Sequence, residues 1–405
     1  MQPHSTTAVA TEPTQGSEAW PSASRRSHEV NPQLEGAGAR NAGLDALRAS
    51  LTLLVVMHHT AITYGAIGGW FYREVPTDKS LSSTLLVYFC TVNQAFFMGL
   101  FFLIAGYLTP GAMDRHGMRR YAVDRFKRLG LPLLFFGWIL GPVTIAMART
   151  ARGQAFGDTL AKLLRNGTFE NGPLWFAQAL LIFACAGMLW LKLSPRSRVR
   201  TPGDTGAAPW PSNVVLSGAA IATGAVALVL RVFWPVGVNV WGLQIGYFAS
   251  YVLLFVFGWV AARHRWLEFL RAEKVRTWWR VALVALPTLP IVYFLGRVVP
   301  GLRGPVLGYV YAFWEPFVAW GVILRLLWGF QRRFIVLDGL WKSLARRAYA
   351  IFIIHPPVLV AVALAWREVP ANALVKFAVT GTVTCALCFL FAGWLLRVPA
   401  LRKLF

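Results

Sequence analysis

Two histidines and an arginine stand inside an otherwise apolar stretch, NAGLDALRASLTLLVVMHHTAITY, at residues 41–64. A histidine with a pKa near 6.5 takes up and returns protons at neutral pH, and an arginine holds a phosphate or carboxylate through two parallel hydrogen bonds. The stretch approaches the ~20 residues that cross a bilayer, so helical geometry decides which of these groups act together. At about 100° per residue, Arg48 and His59 lie eleven residues apart and within about 20° of each other. Asp45, Thr52 and Thr63 fall in the same wedge, whereas His58 turns about 80° away from Arg48. Ionisable groups in a span face a bundle interior or a water-filled cavity. The stripe is therefore a candidate site, with His59 as its catalytic base.

Two further titratable groups sit in apolar surroundings: Glu315 in YAFWEPFV and His355 in YAIFIIHPPVL. Arg48 lies near the start of its span and His59 about 16 Å further along. Glu315 falls near mid-span in a descending helix and His355 part-way up a rising one, so both are expected to line one cavity with His59. Glu315 either holds the His59 imidazole in the right tautomer or holds a substrate hydroxyl. The simpler alternative is a structural partner such as Arg325. Pro356 and Pro357 free the carbonyls of Phe352 and Ile353, which then need partners. A basic cluster of Arg119, Arg120, Arg125, Lys127 and Arg128 reads as a topology signal with lipid contacts, or as a phosphate site. There is no Gly-rich phosphate loop, GxSxG or HExxH pattern, and no metal is expected. Cys385 and Cys388 read as small apolar filler. No role is assigned to His58 or His116, and the oligomeric state is open.

The elements that must position these groups are membrane helices. Of 405 residues, 56% are hydrophobic and only 14% charged, against roughly 25% charged in a soluble domain. The fold class expected is all-α, a polytopic bundle of about ten transmembrane helices. They are placed at about 44–66, 84–109, 129–149, 173–193, 213–233, 241–262, 279–299, 305–328, 347–366 and 373–396. Residues 1–40 read as a disordered tail and 41–405 as one transmembrane domain. The net charge of +23 does not indicate nucleic acid, because the basic residues cluster between apolar spans. The richer loop set, with 114–128, 194–200, 263–276, 331–347 and the final LRKLF, places both termini in the cytoplasm.

These motifs carry a resemblance. LDALRASLTLLVVMHH, FFMGLFFLIAGYLTPGAMDRHG, YAVDRFKRLGLPLLFF, GPLWFAQALLIF and ARRAYAIFIIHPPVL, in this order, resemble the acyltransferase 3 family, particularly its glucan-biosynthesis protein C branch. Ala105-Gly106 departs from the Ser-Gly of many members. The resemblance implies a membrane-bound O-acyltransferase of the plasma or inner membrane, embedded among lipids. It implies acyl-CoA (acetyl-CoA or succinyl-CoA) as co-substrate with no bound cofactor, and a hydroxyl of a glycan or small molecule as acceptor. His59 then corresponds to the family's essential histidine, and Arg48, Arg125 and Arg128 to its essential arginines, with Arg125 and Arg128 as donor-binding groups. A transporter or flippase for a glycan or anionic substrate is the alternative that uses the same polar residues without chemistry.

Overall fold

The computed structural model describes residues 41–193, 209–299, 301 and 304–399. The expected tail at 1–40, the basic loop at 194–200 and the final LRKLF lie outside the described residues. Ten helices make up the described chain: α1 (Ala42–Thr63), α2 (Leu81–Thr150), α3 (Phe156–Arg165), α4 (Gly172–Leu193), α5 (Asn213–Phe233), α6 (Ile245–Arg263), α7 (Ala272–Val298), α8 (Pro305–Arg333), α9 (Gly339–Ala365) and α10 (Ala373–Leu395). All but α3 are long and apolar enough to cross a membrane.

The long run α2 counts twice. Its 70 residues break at Gly117, where φ is 71° and ψ 162°, a left-handed backbone that favours glycine. Residues 114–128, expected as a loop, are thus helical on either side of that one residue. With the break, the described helices account for each of the ten expected spans. The segment 150–172, which lies between two expected spans, carries the short amphipathic α3, which buries Thr159 and Leu163.

Helix starts follow local chemistry. Asn41 accepts from the amide of Leu44 at 3.0 Å, Ser80 from Ser83 at 3.2 Å, and Ser212 from Val215 at 3.2 Å, each satisfying an orphan donor of a first turn. One proline break in the ladder is answered by a side chain. Pro132 leaves the Arg128 carbonyl free, and the Tyr349 hydroxyl donates to it at 2.6 Å.

The centre of the bundle is α1 and α8, with 67% and 61% of their most apolar windows buried against 17% for α7. Small residues let helices approach: a β-carbon at Gly106 would strike the backbone of Phe255, and one at Gly258 the backbone of Leu103. That crossing of α2 on α6 explains the glycine of Ala105-Gly106 without needing a serine beside it.

Candidate active site

Proline chemistry builds the site. Pro356 has no amide hydrogen to give the Phe352 carbonyl, and the Nδ1–H of His355 donates to that oxygen instead, at 2.7 Å. A carbonyl only accepts, so this bond fixes the proton of neutral His355 on Nδ1 and leaves Nε2 as an acceptor. Nε2 lies 2.9 Å from Nδ1 of His59. His59 must then donate from Nδ1, and its own Nε2 carries the lone pair. That nitrogen has no hydrogen-bond partner among the described residues, and His59 lines a large cavity.

The planes of the two imidazoles are within 5° of parallel, with centroids 5.1 Å apart. Trp70 stacks on His59 at 3.9 Å and 9°, and runs parallel to His355 within 10° at 5.8 Å. Trp70 comes from the segment between α1 and α2, which is tied down at several points. The Glu74 amide donates to the Thr63 carbonyl at 2.9 Å, and Ser83 Oγ donates to the Gly65 carbonyl at 2.7 Å. The Glu74 carboxylate forms a buried ion pair with Lys376 of α10, whose Nζ also donates to the Arg367 carbonyl at 2.9 Å. An aromatic pair of this kind is worth about 0.5–1.5 kcal/mol beyond its buried area.

The neighbouring His58 has a different environment. It is buried, stacks on Phe97 at 4.8 Å, and has no partner for Nδ1 among the described residues.

The cavity measures about 2020 Å³. Its floor includes Val55, Leu133 and Phe352, and its wall carries His59, Tyr251 and Tyr311. Its lining reaches the connecting segments, with Arg73, Arg152, Trp241 and Arg367 among them, which puts its opening at the face they form. By helix alternation this is the face opposite the two ends of the described chain.

Glu315 and His355 do not line this cavity, contrary to the expectation of one shared chamber. His355 is fully buried behind His59. The Glu315 carboxylate is bound by Arg231 Nη2 and by Ser250 Oγ, the latter at 3.1 Å. Its partner is thus neither His59 nor Arg325, whose guanidinium packs 5.4 Å from the Trp328 ring. Arg231 in turn lies 4.9 Å from the Tyr311 ring and 5.4 Å from the Tyr247 ring, and both tyrosines line the cavity. Glu315 therefore anchors the wall, one helical turn behind Tyr311.

The three arginines singled out in the sequence sit at the chain-end face. Arg48 is exposed, 3.6 Å from Asp45. Arg125 is half-buried with its guanidinium 5.0 Å from the Tyr121 ring, and Arg128 is exposed. None of the three lines the cavity. Leu133 of the floor stands about 7 Å along its helix from Arg128, and Val55 about 10 Å from Arg48. Buried Leu47, Leu51 and Leu129 occupy this layer, one to two turns thick.

Trp70, Arg231 and Lys376 were not anticipated. Lys376 had a usable signal, a lone cation inside a predicted span, which defaults to a paired or functional group. Trp70 had none, because its place over His59 depends on how a connecting segment folds back.

Comparisons with curated proteins and with solved structures each returned no match. A family model described as an acyltransferase domain matches residues 41–393, from the cap of α1 into the last turn of α10. That match takes in every helix that builds the cavity and the paired histidines. The chain belongs to the acyltransferase 3 family, multi-pass membrane enzymes that transfer acyl groups.

Proposed function

We propose that this protein moves an acetyl or succinyl group from acyl-CoA to a hydroxyl of a glycan or other envelope or secreted acceptor. The donor approaches from the chain-end face and the acceptor from the cavity. The observation that carries this reading is the unpartnered Nε2 of His59, held on the cavity side by the proton chain from His59 to His355 to the Phe352 carbonyl.

The steps balance on these residues. The acceptor hydroxyl attacks the thioester carbonyl, and its proton passes to Nε2 of His59 as the new C–O bond forms. The C–S bond then breaks, and the same proton leaves with the CoA thiolate. The products are the ester and free CoA. While His59 holds the extra proton, His355 Nε2 accepts from its Nδ1–H and spreads the charge, as the carboxylate of a hydrolytic triad does for its histidine.

Arg125, Arg128 and Arg48 supply guanidiniums for the phosphates of CoA, which stay at the face while the thin pantetheine arm reaches inward. Positive-inside logic makes that face cytoplasmic, with both termini there and the cavity open to the outside of the plasma or inner membrane. The motif order favours the glucan-biosynthesis protein C-like branch, and with it a glycan acceptor.

The test is acyl transfer by purified protein in lipid nanodiscs given radiolabelled acetyl-CoA or succinyl-CoA. It is joined to mass spectrometry of envelope glycans and secreted metabolites with and without the protein. Label entering a hydroxyl acceptor, lost in His59→Ala, is the expected result. Intact thioester with both donors, together with unchanged glycans and metabolites, would sink the proposal.

A further inference from the structure

At the mouth of the cavity three guanidiniums come together from two parts of the chain. Arg149 ends α2, Arg152 follows one turn later, and Arg367 follows α9. Arg367 Nη1 donates to the carbonyl of Ala151 at 3.3 Å, which seats it against the turn between the other two. All three line the cavity.

The acidic groups nearby are already engaged. Glu74 is paired with Lys376, and Asp78 accepts from the Ser80 amide at 3.0 Å. The Ser80 hydroxyl donates to the same oxygen at 2.5 Å, and with the amide it holds the Asp78 carboxyl below its usual range. Glu170 accepts from the Gly172 amide at 2.9 Å, and Glu368 pairs with Nε of Arg367 while standing 82% exposed. Arg149 and Arg152 have no carboxylate within ion-pair distance among the described residues. Arg149 is half-buried, so its charge is held in a partly dehydrated position without a counter-ion. Clustered like charges of this kind gain when an anion enters between them.

Lipid headgroups commonly occupy arginines at a membrane surface. These three line the same cavity as His59. From Leu133 to Arg149 the cavity runs about 24 Å along α2, room for an extended molecule. Trp175 and Tyr251, stacked at 5.7 Å, and the amides of Gln178 and Gln244 line the way. Ring faces and amides suit the apolar faces and hydroxyls of sugars.

We infer that the mouth is an acid-binding subsite, and that the acceptor is an extended hydroxyl compound carrying a carboxylate or phosphate at a distance from the hydroxyl that is acylated. This rests on the acceptor reading of the cavity given above. Arg149 and Arg152 hold the acid, and Arg367 fixes the turn between them while adding a third charge.

Occupancy of the cavity is measured without acyl transfer, by protection of His59 from diethyl pyrocarbonate. The full chain is used in zwitterionic nanodiscs, and the modified peptide is read by mass spectrometry. Three probes of similar length are compared: a neutral glucose oligomer, a glucuronate oligomer and a phosphorylated glucose oligomer. The acidic probes are expected to protect His59 at concentrations at least tenfold lower than the neutral one, and the uronate and phosphate arms identify the acid preferred. Arg149→Gln with Arg152→Gln should erase that preference and leave neutral protection unchanged. The exposed Arg152→Gln alone, which leaves the half-buried position intact, should reduce it. Equal protection by neutral and acidic probes overturns the inference, as does a preference that survives the double substitution. So does loss of the preference on adding anionic lipid to the nanodiscs, which would assign the arginines to headgroups. Protection that is found where acyl transfer fails would overturn the transfer reaction and leave the subsite standing.

Discussion

The Nδ1–H of His59 points at Nε2 of His355 across 2.9 Å, and a backbone carbonyl released by Pro356 closes the line behind them. This orders the two histidines by role. His59→Ala should abolish acyl transfer while expression and folding persist. His355→Ala should leave a residue of activity, lower by about 10²-fold or more, because the base remains but its tautomer is no longer held. His58→Ala should keep most activity, since that ring packs on Phe97. Radiolabel transfer by the three purified variants checks the order, and an active His59→Ala beside an inactive His58→Ala would reverse the assignment.

Trp70 covers the face of His59, so its contribution is to hold the ring and shelter it from water. Trp70→Phe keeps an aromatic platform and should lose less than about tenfold in kcat. Trp70→Ala loses about 0.5–1.5 kcal/mol of ring contact and the shelter as well, and should lose considerably more. Equal kcat values for the two variants would argue against a platform role.

The Glu74–Lys376 pair fastens the Trp70 segment to α10 inside the protein. Removing one partner of a buried pair typically costs about 3–5 kcal/mol, because the other charge is left uncompensated. Lys376→Met should lower the thermal midpoint in detergent sharply, and Glu74→Gln on top of it should recover part of the loss. A double variant as unstable as the single one, or more so, would show that the charges do not compensate one another.

At the chain-end face, Arg125→Lys and Arg128→Lys keep the charge and lose the planar fork. Acyl-CoA affinity, measured by equilibrium binding to the purified protein, should fall about tenfold for the pair. An unchanged affinity would remove these residues from the donor site.

The expected spans agree with the helices to within several residues at most ends, because long apolar runs and caps such as Asn41 and Ser80 are local signals. Gly117 was misread as part of a loop: one residue with positive φ turns the chain while polar helix continues on both sides. The pairing of His355 with a freed carbonyl was half legible, since the prolines announce an orphaned acceptor but do not say which side chain answers. Glu315 was placed correctly as a buried group and given the wrong partner. Arg231 stands 84 positions away, and only tertiary packing brings its guanidinium to that carboxylate. The arginine-rich mouth was invisible for the same reason, its members being scattered over the end of α2, the turn after it and the turn after α9.

The thin layer of Leu47, Leu51 and Leu129 between the cavity floor and the chain-end arginines has an electrical meaning. A water-filled cavity would carry the potential of one side deep into the bundle, so that much of a transmembrane voltage would fall across this short apolar septum. A full elementary charge crossing 100 mV exchanges about 2.3 kcal/mol with the field. On the donor route proposed above, a thioester is neutral at its reacting end and enters the septum without electrical work, while the phosphates stay outside it. Transfer by that route is expected to be independent of the membrane potential, with Leu47, Leu51 and Leu129 separating the cavity from the chain-end arginines.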